Sequence, residues 1–79
     1  MASFYYAERT FEDAEDAAFT IIATVDVRDN DDVVEVTLTD ADDEDYLILE
    51  ASYDTLMAMS EFYAVAANAL KRSIKARVE

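Results

Sequence analysis

Two acidic runs, Asp29-Asn30-Asp31-Asp32 and Asp40-Ala41-Asp42-Asp43-Glu44-Asp45, carry the side chains that could hold a cation or grip a basic surface. A calcium loop of the EF-hand type needs oxygen ligands at positions one, three and five, glycine at six and a bidentate Glu at twelve. Counting from Asp29 puts Asp31 at three, but Val33, Val34 and Asp40 at five, six and twelve. Counting from Asp40 places Asp42 and Glu44 correctly, then Asp45 where glycine belongs and Ala51 at the last ligand position. Neither run is expected to be a dedicated metal site, and no cofactor is expected. Paired carboxylates for glycoside hydrolysis need a cleft between them, and the chain is short for one. It has no Cys, His or Gly. It therefore lacks a thiol nucleophile, an imidazole to activate a serine and a glycine-rich phosphate loop. The expectation is a non-enzyme.

The carboxylates point instead to electrostatic binding. The 79 residues carry 19 Asp or Glu against 6 Lys or Arg, a formal net charge of −13. Up to Leu70 the only bases are Arg9 and Arg28; Lys71, Arg72, Lys75 and Arg77 crowd into one seven-residue stretch. Such a charge raises self-repulsion in a small domain. It argues against direct binding to nucleic acid or an anionic membrane and favours a basic partner. A hydrophobic fraction of 53%, with five Tyr and four Phe, sets the chain apart from disordered acidic tails. A single folded domain over residues 1–79 is expected. With no basic-then-apolar leader and no apolar run of bilayer length, a soluble cytoplasmic protein is the expectation.

The elements that must position these charges follow from periodicity. Phe19 to Arg28 alternates Phe19, Ile21, Ala23, Val25 and Val27 against Thr20, Ile22, Thr24, Asp26 and Arg28, a β-strand period. Val33–Thr39 and Tyr46–Ala51 continue the pattern, with Val34, Val36, Leu38, Leu47, Leu49 and Ala51 inward. The chain has no Gly and no Pro, so Asp and Asn must make the turns, with Asn30 the best candidate for a left-handed backbone. From Asp54 the period changes: Leu56, Met59, Tyr63, Ala66 or Ala67, Leu70 and Ile74 form one helical stripe, widened by Phe62 and Val65. Ser52 or Asp54 can cap a helix over about 54–77. Residues 1–18 are ambiguous: a strand over 3–9 and then a short helix or acidic loop, or one N-terminal helix. The fold class expected is α+β, an antiparallel sheet of three or four strands packed on one long C-terminal helix. Tyr5, Tyr6, Phe62 and Tyr63 are expected to pack in the core or at its rim.

In a three-stranded meander the 29–32 and 40–45 turns lie at opposite ends. A helix beginning at the 29–32 end and running back over the sheet would bring its four bases to Asp40–Asp45 and Glu12–Asp16. The least compensated patch would then be Asp26, Asp29, Asp31, Asp32 and Glu35, with only Arg28 nearby. Same-face residues along a strand lie about 6.6 Å apart, comparable with phosphates along a nucleic-acid strand. Arginine and lysine clusters that grip phosphate grip carboxylate by the same charge-assisted bonds. The candidate partner-binding residues are thus Asp26, Asp29, Asp31, Asp32, Glu35, Asp40, Asp42, Asp43, Glu44 and Asp45, and the candidate partner is a basic nucleic-acid-binding protein. Ile22, Val33, Tyr46 and Ile48 fall on the sheet face away from the expected helix, a candidate homodimer face.

In size, acidity and the runs at 12–16, 29–35 and 40–45, the chain resembles the small phage-encoded DNA-mimic inhibitors of the anti-CRISPR and anti-restriction type. The resemblance implies inhibition of a DNA- or RNA-binding protein through a carboxylate surface. Three other readings fit the composition. Eleven Asp, eight Glu and only two Lys also suit a surface adapted to high salt. A dimerisation module is compatible with either. The lack of Gly and Pro also fits a designed sequence, although design normally places Gly in hairpins and balances Glu with Lys.

Overall fold

The computed structural model describes residues 3–42 and 45–78. Among these, four strands form an antiparallel meander, β1 (Ser3–Glu12), β2 (Thr20–Arg28), β3 (Val33–Asp40) and β4 (Tyr46–Ser52), and one helix follows, α1 (Tyr53–Val78). The α+β class, the sheet and the long C-terminal helix agree with the sequence. In the first segment the strand-then-acidic-loop reading holds, with the strand three residues longer, and the helical readings do not. β1 continues through Thr10, Phe11 and Glu12, paired with Ile22, Ile21 and Thr20, and no helix forms there. Pairing to a β-branched neighbour strand outweighs the helical spacing of Phe11, Ala14, Ala17 and Ala18.

Aspartate does the work of glycine in the connections. The Asp13 carboxylate accepts the backbone N–H groups of Glu15 and Asp16, and Asp16 accepts that of Ala18. Asp31 accepts from Val33, and Asp40 from Asp42. Each is a local side-chain-to-backbone turn of the kind Asp favours. Asn30 has φ = 62°, the left-handed conformation that its neighbours could adopt only at greater cost. At the helix start, the Ser52 hydroxyl accepts the Thr55 N–H, an N-cap that satisfies one of the helix's orphan donors.

Register sorts the side chains onto two faces. One carries Val27, Val34 and Ala51 in a row, then Val25, Val36 and Leu49, then Ala23, Leu38 and Leu47, with Ile21 and Asp40 at the end. Across β2–β4 this face is apolar but for Asp40, and β1 adds Tyr5, Ala7 and Phe11 to it together with Arg9 beside Ala23. The other carries Asp26, Glu35 and Glu50 in one row, Thr24, Thr37 and Ile48 in the next, and Ile22, Thr39 and Tyr46 beyond.

The helix barely covers the apolar face. Among the described residues only Val34 and Ala51 are buried, at 6% and 1% exposure, with Leu56 and Met59 half-buried. β4 ends at Ser52 and α1 begins at Tyr53 with no connecting residue. The helix therefore lifts off the edge strand after its first two turns. From Ser60 to Arg77 every residue is exposed, and the molecule is 53 Å long. The stripe that the sequence leads one to lay on the sheet is exposed: Tyr63, Leu70 and Ile74 face solvent, as do Phe62, Tyr5 and Tyr6.

Two substitutions probe these constraints. Asn30→Val should cost about 1–2 kcal/mol through the left-handed penalty, while Asn30→Gly should change stability by no more than about 0.5 kcal/mol. Ala51→Leu should cost about 1–3 kcal/mol by overpacking the point where helix meets sheet. Urea titration of each variant measures both.

Candidate functional site

The polar sheet face is the surface with organised charge. Antiparallel pairing sets Asp26 beside Glu35 and Glu35 beside Glu50, so three carboxylates cross three neighbouring strands at about 4.8 Å per step. Like charges directly opposite repel, and Arg28 answers two of them. Its guanidinium donates to Glu35 Oε2 at 2.9 Å and lies 3.6 Å from Asp26 Oδ2. The bond and charge of Glu35, then the charges of Asp26 and Asp31, hold the Arg28 pKa above its ordinary value. Asp26 also accepts the Ser3 hydroxyl at 2.6 Å, which ties β1 into the row. Among the described residues these are the only ion pairs.

Thus Asp26 and Glu35 are brought together as the sequence suggests, but the ladder differs. Along each strand their same-face neighbours are Thr24, Arg28, Val33 and Thr37, so no carboxylate ladder runs along a strand. The row runs across strands. It includes Glu50, which is invisible when strands are read singly; aligning the 33–40 and 46–52 segments as a hairpin would reveal it. Glu50 makes no hydrogen bond or ion pair with described residues.

Beyond Arg28, the 29–32 turn extends this acidic end. Asp31 spends one oxygen on its own turn, whereas Asp29 and Asp32 have no bonded partner among the described residues and are exposed. Asp54, in the first helical turn, lies where an anion is favoured by the helix dipole.

The opposite end of the sheet holds Asp40, Asp42 and Asp45. Asp40 is half-buried; its backbone N–H donates to the Asp45 carbonyl and its carboxylate turns the chain toward Asp42. Asp43 and Glu44 lie outside the described residues. Among the described residues the expected meeting of this end with the helix bases does not occur: α1 leaves the sheet, and no ion pair joins Lys71, Arg72, Lys75 or Arg77 to an acid. Arg77 donates to the Ser73 carbonyl of its own helix. The eight candidate binding residues that are described therefore form two separate groups at opposite ends.

Ile22, Val33, Tyr46 and Ile48 do share the polar face, Tyr46 and Ile48 being exposed and Ile22 and Val33 half-buried. They are interspersed with Thr24, Thr37 and Thr39. The larger apolar surface is the reverse face, which the helix leaves open.

Among the described residues no cluster of three acids is placed to hold a metal ion, and no helix is long and apolar enough to cross a membrane. The chain matches no protein-family model, no curated protein and no solved structure.

Arg28→Gln should leave Asp26 and Glu35 without their paired cation and lower the melting temperature. The drop should be largest at low ionic strength and shrink in molar salt, because screening weakens the repulsion. The raised Arg28 pKa gives stability present below its unfolded value and lost only in strong alkali. Melting between pH 6 and 9 should therefore show no transition attributable to Arg28. Thermal melts across salt and pH check both outcomes.

Proposed function

We propose that this chain is an acidic interaction protein that binds the nucleic-acid-contacting surface of a basic partner and so blocks it. The observation that carries the reading is the sorting of charge. Carboxylates from three strands line up on one sheet face and continue into the 29–32 turn, while the reverse face is apolar. The binding surface in this proposal is Asp26, Asp29, Asp31, Asp32, Glu35 and Glu50. Asp29, Asp32 and Glu50 are its uncommitted members; Asp26, Asp31 and Glu35 also hold the structure. Spaced carboxylates would replace phosphates in bidentate arginine contacts, and the net charge would speed encounter with a basic groove.

A second reading, a surface adapted to high salt, has its own support. Acids occupy all three strand connections, and Asp13, Asp16, Asp31 and Asp40 shape the turns in which they lie. That spread suits a generally acidic surface better than a focused patch.

The experiment uses Asp29, Asp32 and Glu50 because changing them leaves the turn and the Arg28 pairs intact. The wild-type protein, immobilised, should retain nucleic-acid-binding proteins from a lysate at low salt and release them to duplex DNA and to rising salt. The triple variant Asp29→Lys, Asp32→Lys, Glu50→Lys should retain none of them. Capture that survives both the reversal and molar salt would sink the proposal. A wild-type protein that unfolds at low salt and folds only in molar salt would favour the second reading.

A further inference from the structure

We infer that the protein is a two-fold homodimer in which the C-terminal half of each α1 lies on the apolar sheet face of the other copy. This goes beyond the acidic binding surface and concerns the opposite side of the sheet.

The first support is area. A folded monomer of 8.9 kDa should expose about 4,800 Å², yet the chain exposes 6709 Å². The excess, roughly 1,900 Å² per chain, is more than twice the ~800 Å² that each partner buries in a standard interface and falls in the range of obligate homodimers. Its spread agrees. The radius of gyration is 15.7 Å, against about 11.6 Å expected for 79 residues and about 15 Å for a compact body of twice that length.

The second support is where the excess lies. Leu47, at 73% exposure, is the most open large apolar side chain of this sheet face; Leu38 and Leu49 are exposed beside it, and Phe11 is exposed on the far edge strand β1. A shallow hollow there is walled by Ile21, Leu38, Tyr46 and Leu47, with Asp40 and Asp45 at its edge. The helix offers the matching surface. Leu70 and Ile74 continue the stripe begun by Leu56 and Met59, and at 3.6 residues per turn Lys71 and Arg77 flank Ile74 on either side. Apolar side chains meet an apolar hollow, and bases meet the acids at its edge. Each chain owns one hollow and one helix end, so a reciprocal exchange closes at two copies.

The third support is reach. The helix beyond Met59 is about 27 Å long. The apolar face measures about 20 Å from the Val27 row to the Ile21 row. The chain's own first two helical turns cover the Val34 and Ala51 row, which leaves about 13 Å from the Val25 row to the Ile21 row, well within a partner helix's reach.

The chain has no cysteine, which makes the test clean. Sedimentation equilibrium of the wild type, in physiological and molar salt, should give twice the 8.9 kDa chain mass. Chains carrying Leu47→Cys and chains carrying Leu70→Cys, mixed, refolded together and treated with a short bis-maleimide, should yield a 47–70 cross-link between chains. Leu70→Asp, at a position exposed in the single chain, should shift the protein to monomer and raise the dissociation constant at least a hundredfold. Three results would overturn the inference. One is a monomer in both salts. Another is a 47–70 cross-link formed only within a doubly substituted chain, which would mean that the helix folds back on its own sheet. The last is a dimer that cross-links through Ile48→Cys pairs on adjacent β4 edges and never through 47–70.

Discussion

The arrangement depends on one covalent constraint: β4 passes into α1 without a connecting residue. Ser52 is the last residue of the strand and the cap of the helix. The direction in which the helix departs is therefore set by the strand's own end. Ala51 contributes by being small. At 1% exposure it lets the helix approach the sheet closely, and Leu56 and Met59 settle over the row that it shares with Val34. A longer loop would give the helix freedom to reverse over the sheet, as an antiparallel connection usually allows. Here the first two turns dock and the next five or so leave.

A domain ordinarily pairs two layers, each hiding the apolar side of the other. This chain has both layers but brings them together at one corner only. Leu47, Leu70 and Ile74 are left open on the two layers, in a chain whose −13 charge already opposes compaction. In the proposed dimer a second copy would supply the missing burial, and helix and hollow complement each other in both apolarity and charge.

The local structure was legible in the residues because local rules decide it. Period-two alternation marked β2, β3 and β4 to within a residue or two. Asn30 stood out because no glycine competes for the left-handed position; for the helix cap Ser52 and Asp54 were both open, and the Ser52 hydroxyl takes it. Tertiary placement was not legible, for a physical reason. The stripe from Leu56 to Ile74 says that one side of the helix avoids water; it does not say whose surface it meets. The same ambiguity moved the candidate dimer face. Parity put Ile22, Val33, Tyr46 and Ile48 together correctly, but the assumption that the helix covers the reverse face made them look like the exposed apolar side. Glu50 escaped for a related reason, since a cross-strand row exists only once register is known.

The two proposals constrain each other through the charge map. If the bases of each α1 reach the partner's Asp40 and Asp45, they neutralise the end of the sheet remote from the 29–32 turn. The apolar faces then point inward, and the rows of Asp26, Glu35 and Glu50 point outward. What remains exposed is two acidic surfaces on one particle, each with Arg28 as its nearest cation. A dimer of this kind would concentrate negative charge where a basic groove could reach it and remove apolar surface that would otherwise cause non-specific association. The acidic surface does not require the dimer, because its row is built within one sheet. The dimer does not require a basic partner, because its contacts lie on the opposite face. Both follow from a four-stranded sheet whose two sides were given different chemistries and whose own helix leaves one of them uncovered.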